Sequence, residues 1–406
     1  MWDRIPDSWQ LTELEKVCTL PVRQVRPTEF SEFESYVGLE NIESDTGMIN
    51  EYKRVDEAKL KSSKFPFDNK CILYGKLRPY LNKVALPEIT GICSTDILPL
   101  KPLPEVISRE FLYFFLRSPY FVRMATEKST GANLPRITPK SLLKMPVPVP
   151  PLQIQRQIAR LLMKADHLLR NRRHSTELLT KVPVAAFRRL FGEPSSNPRK
   201  WKTETLESLV VDGPIHGKSL ERARVRAEPP GVSVLKLGAL SENGLDFRQV
   251  KYYDESLPDV DRWILKPDDI LISRSNTMDL VGRVGRYAGY PSPCIISDLM
   301  IRVRANPNIV EPAFLEFYLR EPFVRTFFQS RARGTSGSMP KISNSDVREV
   351  PVRVPPLPLQ KEFVRIVLGT ESLGKMHDKS TEEINELFHS LMHKAFRGEL
   401  RTAKAS

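Results

Sequence analysis

Past Pro151 the apolar positions follow alternating steps of four and three: Ile154, Ile158, Leu161, Ala165 and Leu168, then Arg172 and Ser175, then Leu179, Val182 and Ala186. That spacing predicts a long helix with a heptad seam. The pattern returns 205 positions later at Leu359, Phe363, Ile366, Thr370, Leu373, His377, Ser380, Ile384 and Leu387. Its polar interruptions correspond, Arg172 with His377 and Ser175 with Ser380. Each helix would hold about 40 residues and extend roughly 60 Å. A helix of that length with one apolar stripe needs a partner. The first helix leaves one domain and ends at another, so the second must point back if the seams are to meet. An antiparallel coiled-coil pair follows, with a pseudo-dyad; the alternative is that each helix packs on its own domain.

Other words repeat at nearly the same offset. PVPVPPLQIQ (Pro146 to Gln155) precedes the first helix and PVRVPPLPLQ (Pro351 to Gln360) the second. Upstream, REFLYFFLRSP (from Arg109) matches PAFLEFYLREP (from Pro312), both apolar at helical spacing and stopped by Pro. A Gly, Ser and Thr cluster follows each, STGAN at Ser129 and GTSGS at Gly334. KCILYGKL (from Lys70) sits opposite DDILISRS (from Asp268), each a β-rich run that leads into a basic, polar loop. WQLTEL (Trp9) and WKTETL (Trp201) open the two copies. The predicted fold class is α+β: two pseudo-repeated mixed α/β domains, 1–150 and 194–356, joined by spacer helices 151–193 and 357–400, with a tail at 401–406. One defect marks the repeat. The offset becomes 209 at Ala186, Phe187 and Arg188 against Ala395, Phe396 and Arg397, so the second helix has gained four residues, close to one turn.

Composition narrows the partners. The net charge of +13 and pI near 9.5 make a polyanion the first to consider. Much of that charge lies on the first helix, where nine Lys and Arg face only Asp166 and Glu177. It reads either as a solvated face or as a face near DNA or an acidic surface. Cys18, Cys71, Cys93 and Cys294 show no paired spacing and read as reduced thiols of a cytoplasmic protein. The N-terminus has no apolar signal core, and no run reaches the 18 or so apolar residues of a membrane span. No word for amino methylation and no metal-ligand cluster is present, so no catalytic residue, metal or cofactor is expected. DGPIHGKS (from Asp212) would be a phosphate loop only if Asp212 were glycine.

The order of W-x-x-x-x-L, DILISRSN, TGANLPRI, VPVPPLQIQ, a long helix and a closing AAFRRLFG (Ala185) or KAFRGEL (Lys394) resembles the specificity (S) subunits of Type I restriction-modification systems. The resemblance covers almost the whole chain. It implies two target recognition domains, each reading one half of a bipartite sequence in double-stranded DNA. It also implies that the helices set the spacing and dock two methyltransferase (modification) subunits, with a motor-nuclease (restriction) subunit completing the complex. The specificity subunit itself is non-catalytic. The rival is a structural adaptor that assembles a DNA-modifying complex without reading sequence.

For DNA contacts, the loop after the first strand word offers Lys76, Arg78, Tyr80, Asn82 and Lys83, and its counterpart offers Arg274, Ser275, Asn276, Thr277 and Arg283. Arg can hold guanine and Asn adenine by two hydrogen bonds, while Lys and Ser commonly hold phosphates. A second pair of loops offers Ser129, Thr130, Asn133 and Arg136 against Thr335, Ser336, Ser338 and Lys341. His216 and Lys218 are a third candidate. Any one of these could be an ordinary solvated loop residue. As sets they differ between copies while the flanking strands match, as expected of related scaffolds reading different half-sites.

Overall fold

The computed structural model describes residues 6–21, 23–30, 35–55, 60–241, 244–254, 260–334 and 339–400. It divides into two compact units, Met1–Ser175 with His377–Ser406, and Thr176–Met376. The predicted tail, 401–406, lies outside the described residues.

In the first unit the buried strand Ile72–Gly75 lies between Ile97–Pro102 and Val84–Ala85, with Cys18–Thr19 at the far edge. The second unit repeats this antiparallel order with Ile270–Ser273 between Met300–Ala305 and Val284–Arg286, and Val210–His216 at the edge. The two strand words therefore form equivalent strands of equivalent sheets. A second, mixed sheet in each unit contains one parallel pair, Ser35–Val37 beside Gly91–Cys93 and Val232–Leu235 beside Cys294–Ile296.

In the first unit the short helices are α1 (Arg109–Arg117), α2 (Pro119–Glu127) and α3 (Pro139–Leu143), followed by the long α4 (Leu152–Phe191). The second copy supplies α5 (Pro312–Leu319), α6 (Pro322–Arg331), α7 (Asn344–Arg348) and the long α8 (Leu357–Ala395). Ser118 ends α1 and caps α2, whose first residue is Pro119, a position where the missing N–H has no helical partner to lose.

Two words read separately in the sequence prove to be partners. Gln10–Glu13, from WQLTEL, pairs antiparallel with Pro146–Val149, and Lys202–Thr205, from WKTETL, pairs with Pro351–Val354. Both sheets are two-stranded, so the prolines leave no interior ladder bond unmade. The glutamine that closes each proline word is fully buried. Gln155 accepts from the Ser108 N–H at 2.7 Å and donates to Val106 O at 3.0 Å and Pro150 O at 2.7 Å. Gln360 does the same with Glu311 N–H, Ile309 O and Pro355 O at 2.9, 3.3 and 2.7 Å. Each amide thus ties the start of a long helix to the start of α1 or α5. Gln360→Leu should destabilise the second unit by about 3 kcal/mol, since buried backbone groups lose their partner. The thermal midpoint should fall by roughly 6–12 °C, and a fall under about 2 °C would mean that the pin is dispensable.

The long helices run antiparallel within each unit. In the first, Ile158, Ala159, Leu162, Ala165 and Leu169 share one core with Phe388, Met392 and Phe396, and Arg172 meets His377 Nε2 at 3.4 Å. In the second, Phe187 and Phe191 pack on Phe363 with ring centroids 5.3 and 5.6 Å apart. Half of the predicted seam is displaced by one residue. Leu168 is 55% exposed, whereas its neighbour Leu169 is 5% exposed, and Leu161, Val182, Leu373 and Leu387 also point outward. The same core contains Phe111, Phe114 and Phe115 of α1, so one helix face serves both the domain and the partner helix. The buried positions shift to suit both contacts.

Each domain core is closed by the far end of the helix that follows the other domain. Phe396 packs on Phe111 and Phe115 at 5.5 and 5.4 Å, and Phe187 packs on Phe314 and Phe317 at 5.8 and 5.0 Å. The closing words therefore do the same job despite the changed offset. Gly192 and Gly398 follow the two helices at φ +80° and +70°, the left-handed turn that lets the chain leave a helix.

Candidate nucleic-acid interface

The two candidate loops of each domain are joined backbone to backbone, by the same bonds in both units. Arg78 N–H donates to Pro135 O at 2.7 Å and Ile137 N–H to Lys76 O at 3.0 Å. In the second unit Asn276 N–H donates to Pro340 O at 3.3 Å and Ile342 N–H to Arg274 O at 3.0 Å. Isolated bridges pair Leu77 with Arg136 and Ser275 with Lys341. Gly75 N–H reaches Lys83 O and Ser273 N–H reaches Arg283 O, both at 2.8 Å. These bonds align Lys76 with Arg274, Arg78 with Asn276, Lys83 with Arg283, and Arg136 with Lys341.

Side-chain roles within the platform differ. Thr130, Asn133, Arg136 and Thr277 are exposed, and Tyr80 is half exposed. Arg78 sits at φ +51° with Nη2 directed at Asn133 O, 3.5 Å away. Asn82, also left-handed, donates to Asp45 Oδ1 and to Arg117 O, both at 3.2 Å. Arg117 is itself buried against Asp166 of α4 at 3.2 Å, so Asn82 is anchored to the helix side of the domain. Lys83 Nζ donates to Leu39 O at 2.9 Å, Ser129 Oγ to Thr126 O at 2.7 Å, and Arg274 Nη1 to Asp298 O at 2.9 Å. Ser275 departs from expectation: it is fully buried, and its N–H donates to Leu299 O at 3.3 Å, so it supports the loop from within. Thr335, Ser336 and Ser338 lie outside the described residues.

The third candidate joins the same edge. Lys218 O accepts from Asp298 N–H at 3.0 Å, next to the carbonyl that holds Arg274, and the Lys218 ammonium lies 5.2 Å from the Trp263 ring centre. Exposed His216 has Nδ1 3.4 Å from Asn344 Nδ2. The sequence reading missed Arg333, which pairs with Lys341 as Thr130 pairs with Arg136, and also Asn344, Asp298 and Leu299. The 203-residue offset linking α1 to α5 would have found Arg333, and only tertiary structure brings in the others. Polar atoms shielded from solvent and without a partner in the chain gather here, among them Arg78 Nε, Asn82 Oδ1, Arg274 Nε and Asn344 Oδ1.

DGPIHGKS is no phosphate loop. Val210–His216 is a strand, and Asp212 pairs with Arg302 at 2.8 Å and Arg304 at 3.1 Å. The four cysteines are buried, and burial pushes the thiols of Cys18 and Cys294 up to about 12 and that of Cys71 to about 11. At neutral pH these are thiols rather than nucleophilic thiolates. Among the described residues no group of three or more His, Cys, Asp or Glu could hold a metal ion, and no helix is long and apolar enough to cross a membrane.

Each unit thus presents the same loop platform, with different cations and amides at equivalent points. The family model for the Type I restriction modification DNA specificity domain matches residues 6–180 and 198–386, and the chain belongs to that family. It is 31% identical to the EcoDI specificity subunit of Escherichia coli over 38% of this chain and 34% of that one. It is 25% identical to the EcoKI specificity subunit of Escherichia coli K12 over 73% of this chain and 66% of that one. The matches thus span less than two thirds of either relative. The S subunit of a Type-I restriction-modification system from M. genitalium has the same fold, with TM-score 0.60, 16% identity and 96% of each chain covered.

Proposed function

We propose that this chain is the DNA-specificity subunit of a Type I restriction-modification complex, each domain reading one half of a bipartite target in double-stranded DNA. The observation that carries the reading is the equivalence of the two platforms. Identical backbone bonds hold Lys76, Arg78 and Arg136 in one and Arg274, Asn276 and Lys341 in the other. A purely structural adaptor has no use for one scaffold carrying two different sets of base-reading side chains, Arg for guanine in one and Asn for adenine in the other. The chain supplies recognition; methyl transfer and cleavage belong to two modification subunits and a motor-nuclease subunit, in the cytoplasm where the DNA lies. Domains 1–150 and 194–356 are the readers, and helices 151–193 and 357–400 set the half-site distance and dock the modification subunits.

Methylome sequencing of cells expressing the chain with its modification subunit tests this. A bipartite methylated motif is expected, and gel-shift competition should favour that motif over random duplex. Equal competition by random DNA would leave the adaptor. Binding by the assembled complex should also depend steeply on salt: with about eight phosphates neutralised, the slope of log K against log salt is near −7. A slope shallower than about −2 would count against the platforms as the DNA contact.

A further inference from the structure

Each platform carries two large apolar side chains in water, at equivalent places. Tyr80 is 49% exposed and Leu134 47%; Met278 is 48% exposed and Met339 47%. Tyr80 and Met278 lie two residues beyond Arg78 and Asn276, whose N–H groups bind Pro135 O and Pro340 O. Leu134 and Met339 immediately precede those prolines. Single exposed apolar residues need no explanation. Two such positions, each repeated in both platforms among Arg, Lys and Asn, do.

The repetition separates two roles. A side chain that reads a base edge should change with the half-site, as Arg78 changes to Asn276. Leu134 and Met339 keep their class, which suits an action on DNA that does not depend on the base. Leucine and methionine are among the side chains that proteins drive between base pairs, unstacking a step and kinking the duplex. The loops are built to hold such a side chain in place. The residue before a proline is restricted to extended conformations, and the proline carbonyl is pinned to the other loop. Gly131, at φ +106°, lets the chain close so tightly behind Leu134 that a Cβ there would stand 3.1 Å from the Leu134 carbonyl oxygen.

Building on the DNA-reading function above, we propose that Leu134 and Met339 are wedges, each inserted between neighbouring base pairs of its own half-site. Tyr80 and Met278 cover the base face that insertion exposes, one by ring stacking and the other by a polarisable thioether.

The test uses the full chain assembled with its modification subunits and duplexes bearing the motif found by methylome sequencing. 2-Aminopurine is placed in turn at positions of each half-site other than the methylated base, and its fluorescence rises where a step is unstacked. Wild type should show one such step in each half. Leu134→Ala should lose the enhancement in the first domain's half-site alone, Met339→Ala in the other alone, and Leu134→Met should retain it. All three variants are tested at saturating complex, so weaker binding does not mimic the loss. If the wild-type complex fails to prefer the motif over random duplex, the DNA-reading function itself is wrong. If it prefers the motif but no step is unstacked, or the enhancement survives in both alanine variants, the wedge is overturned while the reading function stands.

Discussion

Replacing residues 194–356 with the corresponding segment of a family member that has another target should change one half of the methylated sequence and leave the other half and the gap intact. The junctions matter. They keep Lys202–Thr205 and Pro351–Val354 with the core that Val352 helps to fill, whereas cuts at 206 and 350 would leave both strands with the host. The incoming segment must also present aromatic residues where Phe314 and Phe317 meet Phe187, because α4 and α8 remain those of the host. Each bond described between the loops of a platform lies within its own unit, so exchanging one platform should leave the other undisturbed. Methylome sequencing reads the outcome. Alteration of both half-sites by a folded exchange would show that the domains read DNA jointly.

Converting Leu168 and Leu373 together to aspartate should abolish co-purification with the modification subunits and leave the fold standing. Leu161, Leu168 and Val182 on α4, and Leu373 and Leu387 on α8, form outward stripes at heptad spacing, with Leu168 and Val182 matching Leu373 and Leu387 at the repeat's own offset. Leucine stripes exposed along a helix are a ready knobs-into-holes surface for further helices. Placing a carboxylate at such a contact costs roughly 2–4 kcal/mol per site, the range of interface hot spots, so two reduce affinity by about 10³-fold or more. Leu169→Asp, one residue away, is the control: it buries a charge in the first core and should lower the melting temperature instead. Undiminished co-purification of the double variant would place the docking surface elsewhere.

What the sequence revealed, and what it hid, follows from physics. The strand words, the short helices and the long helices are local, set by apolar runs and by prolines, and they fall where the patterns put them. Half of the predicted seam holds: Ile158, Ala165 and Arg172 lie on it, but in Leu161–Leu162 and Leu168–Leu169 either leucine satisfies a heptad. Only packing against α1 decides between them. Pairing of the tryptophan word with the proline word is long-range and left no periodic trace. The candidate loops were found as sets, yet burial of Ser275 and anchoring of Asn82 depend on neighbours distant in sequence. Met278 and Met339 carry no signal in the sequence alone, because an apolar loop residue stands out only when its twin occupies the equivalent position.

The closing aromatics also order the life of the chain at the ribosome. The second unit is one continuous segment, Thr176–Met376, and all of its core has been synthesised by Val367. The first unit is split, and Phe388, Met392 and Phe396 reach its core only after the whole of the second unit has been synthesised. The domain translated first is thus completed last, holding the Phe111 and Phe115 surface open to chaperones in the interval. A nascent chain cut short before Phe388 carries a finished second domain and an unfinished first. In such a chain the uncovered apolar surface should draw chaperones and proteases, so limited proteolysis should cut the first unit well before the second.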